Sequence, residues 1–125
     1  MGGIAVHNVT VYPSLARTTL QNGATINDGN HPRLGGLFFF NATAIGAAPS
    51  VTPTIQGFDP GSGLWYDILV GAAKTATGLT ILRVYPGMTA AANLVANDFL
   101  PPQWRINVAV GNADSMTYSI TALLR

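Results

Sequence analysis

The chain has no cysteine, so it forms no disulfide, offers no thiolate nucleophile and cannot build a zinc–thiolate site. It also has no glutamate, and Lys74 is its only lysine. Charged residues make up 9% of the sequence, against about 25% in an ordinary soluble domain. Glutamate and lysine are strong helix formers and supply the i,i+4 ion pairs of exposed helix faces, so their scarcity argues against a helical protein. Long apolar runs are missing too. "LFFF" sits in a stretch far short of the ~20 residues that a membrane helix needs, and the N-terminus lacks a basic segment leading into a sustained apolar core. Neither a membrane span nor a signal peptide is therefore expected. The six cationic residues are scattered from Arg17 to Arg125 and the net charge is +1, which leaves no basic patch for a nucleic acid.

What the chain does contain is threonine, valine, isoleucine and aromatics, punctuated by 14 glycines and 8 prolines, the composition of an all-β protein. At 125 residues it fits one domain, able to bury roughly two thirds of its unfolded surface. A positive mean hydropathy with so few charges is high for a freely diffusing monomer and points to a surface covered by a partner.

Residues 1–33 carry the least pattern and read as an N-terminal arm with loops. "NVTVYPS" is a short first strand within it, and "QNGAT" a tight turn. Residues 34–125 form the main domain. Short strands recur at even spacing in "LFFFNATAI", "VTPTIQGF", "LWYDILVGA" and "LTILRVYPG", with "DPGSG" turning the second into the third. "MTAAANLVANDFLPP" loses the two-residue period and is either a short helix or a long loop. The period returns at the end. Trp104, Ile106, Val108 and Val110 share one face, and after a turn at Asn112–Asp114, Met116, Tyr118, Ile120, Ala122 and Leu124 continue it. Six to eight such strands predict an antiparallel β-sandwich, with a small β-barrel as the alternative. Two further expectations can be checked. Pro53 lacks the N–H that a ladder needs, so its strand is expected to be an edge or to pair with its neighbour on one side only. In "LWYDILV" neither face is strongly polar, so both read as covered.

The search for chemistry returns little. Asp28, Asp59, Asp67, Asp98 and Asp114 are isolated from one another and mostly sit in turns, the setting in which an aspartate caps its own backbone. His7 and His31 have no second histidine at helical spacing and no serine in a nucleophile setting. "GNADS" and "DPGSG" carry neither the lysine of a phosphate loop nor the carboxylate spacing of a calcium loop. No catalytic, metal-binding or cofactor-binding residue is nominated, and the protein is read as a non-enzyme. Trp65, Tyr66, Tyr85 and Trp104 are either core and interface anchors or a sugar-stacking platform. Arg83 and Arg105 stand in otherwise apolar strands, as hydrogen-bonding groups for a subunit contact or as solvated side chains whose stems cover their neighbours.

The succession TIQG-x-DP-x-SG, LRVYPG, LP-x-x-WR and ADS-x-TYS, together with the opening "VHNVTVYPSLARTT", resembles a recurrent family of small proteins encoded among the virion structural genes of tailed bacteriophages. The resemblance spans nearly the whole chain. It implies a structural protein of the virion, first among the roles a capsid decoration (cement) protein on the outer surface of the head. Its partner would then be the major capsid protein, with further copies of itself as lattice neighbours. A neck or tail component, or a carbohydrate-binding module for host attachment, are the alternative roles.

Overall fold

A computed structural model describes residues 7–27 and 34–125. Nine strands alternate with turns, and no helix occurs among the described residues: β1 (His7–Arg17), β2 (Ile26–Asn27), β3 (Gly36–Ile45), β4 (Val51–Asp59), β5 (Leu64–Val70), β6 (Gly78–Val84), β7 (Val95–Ala96), β8 (Gln103–Val110) and β9 (Met116–Leu124). They form two open sheets, ordered β1-β9-β3-β6-β7 and β2-β8-β4-β5. The sandwich expected from the sequence is what forms, and the closed barrel is not. Two of the nine strands are only two residues long, which explains why six to eight were legible.

The pleat builds the core. β9 alternates perfectly, with Met116, Tyr118, Ile120, Ala122 and Leu124 buried and Thr117, Ser119, Thr121 and Leu123 half-buried on the other side. Facing them across the sandwich are Trp104, Ile106 and Val108 of β8, with Val51 and Ile55 of β4. Trp104 meets Phe38 edge-on at 5.5 Å, and Tyr118 stacks on Phe40 at 5.0 Å. A buried aromatic hides roughly 150–250 Å² and so contributes about 4–6 kcal/mol before entropy is subtracted.

The stretch read as arm and loops contributes more than expected. Residues 7–17 form an eleven-residue strand along β9, interrupted by bulges between Thr10 and Tyr12 and between Tyr12 and Leu15. The bulges and Pro13 blur the two-residue period, which is why no long strand could be read there. They also turn both Val11 and Tyr12 into the core. The Tyr12 hydroxyl donates to the Ile106 carbonyl at 2.6 Å, a bond that crosses from one sheet to the other. Beside it lies Arg17, almost fully buried and without a carboxylate. Its guanidinium donates to the carbonyls of Tyr118 (2.9 Å), Pro13 (2.7 Å) and Leu15 (3.2 Å) and sits over the rings of Tyr118 and Tyr12, at 4.6 and 5.2 Å. Carbonyl dipoles and aromatic faces thus replace the counter-ion and solvent that a buried cation otherwise needs.

Neither reading of the Pro53 strand holds: β4 is an interior strand, hydrogen-bonded to β8 and to β5, so the edge-strand and one-sided readings are both overturned. At Pro53 itself the β4–β5 ladder has not begun, because pairing with β5 starts at Thr54. On that side only the proline carbonyl is used, accepting from the Gly71 amide at 2.8 Å. The missing donor therefore falls just beyond the end of β5. The double-covered reading of β5 fails: it is an edge strand with Leu64, Tyr66 and Val70 exposed and Leu69 buried. A register shift between Ile55 and Gln56 of β4 leaves Ile68 without a partner and breaks the alternation. The Ala-rich stretch 88–102 is a loop carrying β7, which lies parallel to β6. Asn93 in left-handed conformation (φ 64°) sits at the centre of the turn 92–94, and its side chain donates to the Val70 carbonyl at 3.0 Å.

The Trp104 indole N–H and the Tyr118 hydroxyl are buried with no hydrogen-bond partner among the described residues. This contrast with Tyr12 makes a paired prediction. Tyr12→Phe leaves the buried Ile106 carbonyl without its donor and is expected to lower unfolding free energy by about 1–3 kcal/mol. Tyr118→Phe removes a hydroxyl outside hydrogen-bond geometry whose polar neighbour is the Arg17 guanidinium, and should cost less than Tyr12→Phe. Urea unfolding of the two variants beside the parent measures both.

A second expectation concerns alkali. Burial, then the neighbouring Tyr118, raises the Tyr12 phenol well above its ordinary value. A folded-state pKa above the unfolded one gives stability that is complete below the ordinary tyrosine range of about 10 and is lost as pH climbs from there toward the folded value. Stability should therefore fall above about pH 10, and less steeply in Tyr12→Phe, as followed by denaturant midpoint against pH.

Candidate functional site

Strand register assembles the outer face of the five-stranded sheet row by row. Asn8, Leu123, Leu37 and Arg83 stand side by side across β1, β9, β3 and β6; Thr10, Thr121, Phe39 and Ile81 form the next row; Ser119, Asn41 and Leu79 the third. Because successive residues of a strand point to opposite faces, this surface is the complement of the core positions on the same strands. Leu37, Phe39, Ile81 and Leu123 are half-buried by one another, and Leu79 is 56% exposed. The result is an apolar strip with a serine–threonine border on β9.

Its lower end opens into a pocket of about 380 Å³, lined by Leu37, Leu123, Tyr85, Met88 and the two arginines Arg83 and Arg125. Its walls are predominantly apolar. Neither guanidinium makes a hydrogen bond or ion pair among the described residues. The volume lies at the small end of the range of roughly 300–1,000 Å³ typical of ligand pockets.

The opposite, four-stranded face is polar and internally bonded. Arg105 donates to Gln56 at 2.8 Å, Gln56 donates to Asp67 at 2.9 Å, and the Arg105 guanidinium lies 4.2 Å from the Trp65 ring centre. Phe58 packs on the same indole at 5.0 Å. Asn107 donates to Asn22 at 2.8 Å. These groups spend their hydrogen bonds and ring faces on one another.

The residues singled out in the sequence disperse. Trp104 is wholly inside the core, Trp65 lies on the polar face, and Tyr85 lines the apolar pocket. Tyr66 leans over Gly57, where a Cβ would come within 2.6 Å of its ring and 2.8 Å of Pro101. Burial first, then the charges of Asp98 and Asp59, raises the Tyr66 phenol. The four aromatics thus do not form a shared sugar platform. Asp59 caps its turn as anticipated, accepting from the Gly61 amide (3.0 Å) and the Ser62 hydroxyl (2.7 Å); the hydroxyl, then the amide, holds its carboxyl below the usual range. Asp114 instead reaches across to the Ala48 amide, at 3.2 Å, pinning the β8–β9 turn to the β3–β4 loop. Asp98 accepts from the Phe99 amide at 2.8 Å. His7 is exposed at the start of β1; His31 and Asp28 lie outside the described residues. Among the described residues no three of histidine, aspartate and glutamate gather closely enough to hold a metal ion.

Sequence reasoning missed two groups. Arg17 fell in the unpatterned region, and nothing local distinguishes a buried arginine from a solvated one. The apolar strip was half legible: "LFFF" and "LTILRV" have apolar residues at consecutive positions, the signature of a strand with something to bury on both faces.

No family model, curated protein or solved structure matches the chain.

Because Ile81 faces outward, Ile81→Thr should change unfolding free energy by no more than about 0.5 kcal/mol while keeping a β-branched residue in the strand. It should also reduce fluorescence of a dye that reports exposed apolar surface. A large stability loss would place Ile81 in the core instead.

Proposed function

We propose that the chain is a non-enzymatic structural module of a tailed-bacteriophage virion, a decoration protein that sits on the outer capsid surface and is held there by the outer face of its five-stranded sheet. The observation that carries this reading is that face: an apolar strip without an aspartate among the described residues, on the outside of a two-sheet sandwich. Monomeric proteins rarely keep such a strip unless it meets another macromolecule. The resemblance of the chain's motifs to small virion proteins supplies the partner, the major capsid protein. Stabilisation follows from mass action, because a module that binds only the assembled shell favours that state, and symmetric repetition multiplies a weak contact over the lattice.

The arrangement of the opposite face speaks against glycan attachment. Trp104 is unavailable, and Arg105 occupies one face of Trp65 where a sugar ring would stack. A neck or tail position would use the same docking chemistry and differs in symmetry.

Deleting residues 1–20 is a poor test, since it removes β1 from the sheet. The informative variant is Ile81→Asp, which puts a charge in the middle of the strip without touching the core. Added to undecorated purified heads, the parent should bind in on the order of hundreds of copies per particle, as a repeating shell requires, and Ile81→Asp should lose most of that occupancy. Undiminished occupancy removes the face from the account; about a dozen copies or fewer assigns the protein to the neck or tail.

A further inference from the structure

Arg83 and Arg125 are the feature that an apolar docking strip does not explain. Two guanidinium groups line one apolar pocket of about 380 Å³, and neither has a partner among the described residues. The aspartates of the described residues are elsewhere and in use: Asp59 in its turn, Asp67 in the Gln56 ladder, Asp98 on the Phe99 amide and Asp114 on the Ala48 amide; at the pocket itself the Arg125 backbone oxygen is taken by the Leu34 and Gly35 amides, at 2.7 and 3.1 Å. Arg17, by comparison, is fully bonded without one.

Two like charges share the pocket, and covering them with an apolar surface alone would strip them of water without compensation. A carboxylate entering between them would form charge-assisted hydrogen bonds, which arginine's planar fork suits in bidentate geometry. Below it, Leu37, Leu123 and Met88 offer room for an aliphatic side chain. A second copy paired through the same strip brings no aspartate to the arginines, because the strip carries none among the described residues.

Resting on the docking reading above, we infer that the pocket is the specificity site of that face: it takes an extended segment of a different protein that presents an apolar side chain next to an aspartate or glutamate. The strip supplies contact area and the arginine pair selects the partner. Electrostatic selection of this kind rejects a neutral surface of the same shape.

The test is a titration of the full ¹⁵N-labelled chain, followed by amide chemical shifts, with the blocked pentapeptide acetyl-Ala-Leu-Asp-Leu-Ala-amide. The control is the same peptide with asparagine replacing aspartate. Saturating shifts are expected around residues 36–38, 83–88 and 123–125, with the asparagine peptide about tenfold weaker. Arg83→Gln and Arg125→Gln should each weaken the aspartate peptide and leave the asparagine peptide unchanged, which separates charge recognition from a disturbed fold. Equal binding of the two peptides, shifts confined to the other sheet, or no shifts at all overturns the inference. So does a concentration-dependent shift of the same amides without peptide, the mark of self-association through the pocket. Ile81→Asp lies two strand positions from Arg83, so an unchanged occupancy on heads combined with normal peptide selectivity would overturn the docking reading alone.

Discussion

The structure depends on the pleat of β9. This strand is hydrogen-bonded to β1 on one side and to β3 on the other, and its alternation decides two surfaces at once. Inward, Met116, Tyr118 and Ile120 fill the space between the sheets; outward, Thr121 and Leu123 belong to the strip and the pocket. A slip of one residue would exchange the two sets, placing threonines in the core and Tyr118 in solvent. Core and outer face are therefore specified by the same register, and one cannot be lost without the other.

Charge is used with the same economy. Four described aspartates hold turns, a loop and a side-chain ladder, and Arg17, the one buried cation among the described residues, is satisfied by carbonyls and tyrosine rings. Lys74 donates to the Thr80 hydroxyl at 2.8 Å, and burial lowers its ammonium. What remains unbonded is concentrated at one end of the five-stranded sheet, where apolar area and positive charge coincide. That coincidence separates this face from the four-stranded one, whose arginine is already engaged with glutamine and tryptophan.

The sheet edges are less inviting than its face. β1 carries Pro13 and two bulges, and Arg17 folds back on the carbonyls of Pro13 and Leu15. β5 is broken at Ile68, and Asn93 takes its last carbonyl. Such features discourage edge-to-edge pairing with other chains. The docking proposed above would use a strip of side chains and leave no open row of backbone groups at these two edges.

Composition and a two-residue period were enough to determine the class of fold, the turns at Asp59 and Asn112, and the inward residues of β8 and β9, because each depends on local chemistry or on alternation along one strand. Pro53 showed how far a local rule reaches: it announced a missing bond but not that the neighbouring strand simply ends there. The long β1, the bulge in β5, the burial of Arg17 and the meeting of Arg83 with Arg125 were decided by tertiary structure alone. Residues 83 and 125 are far apart in the chain and come together only because β3 lies between β6 and β9, a fact of strand order that no stretch of sequence carries.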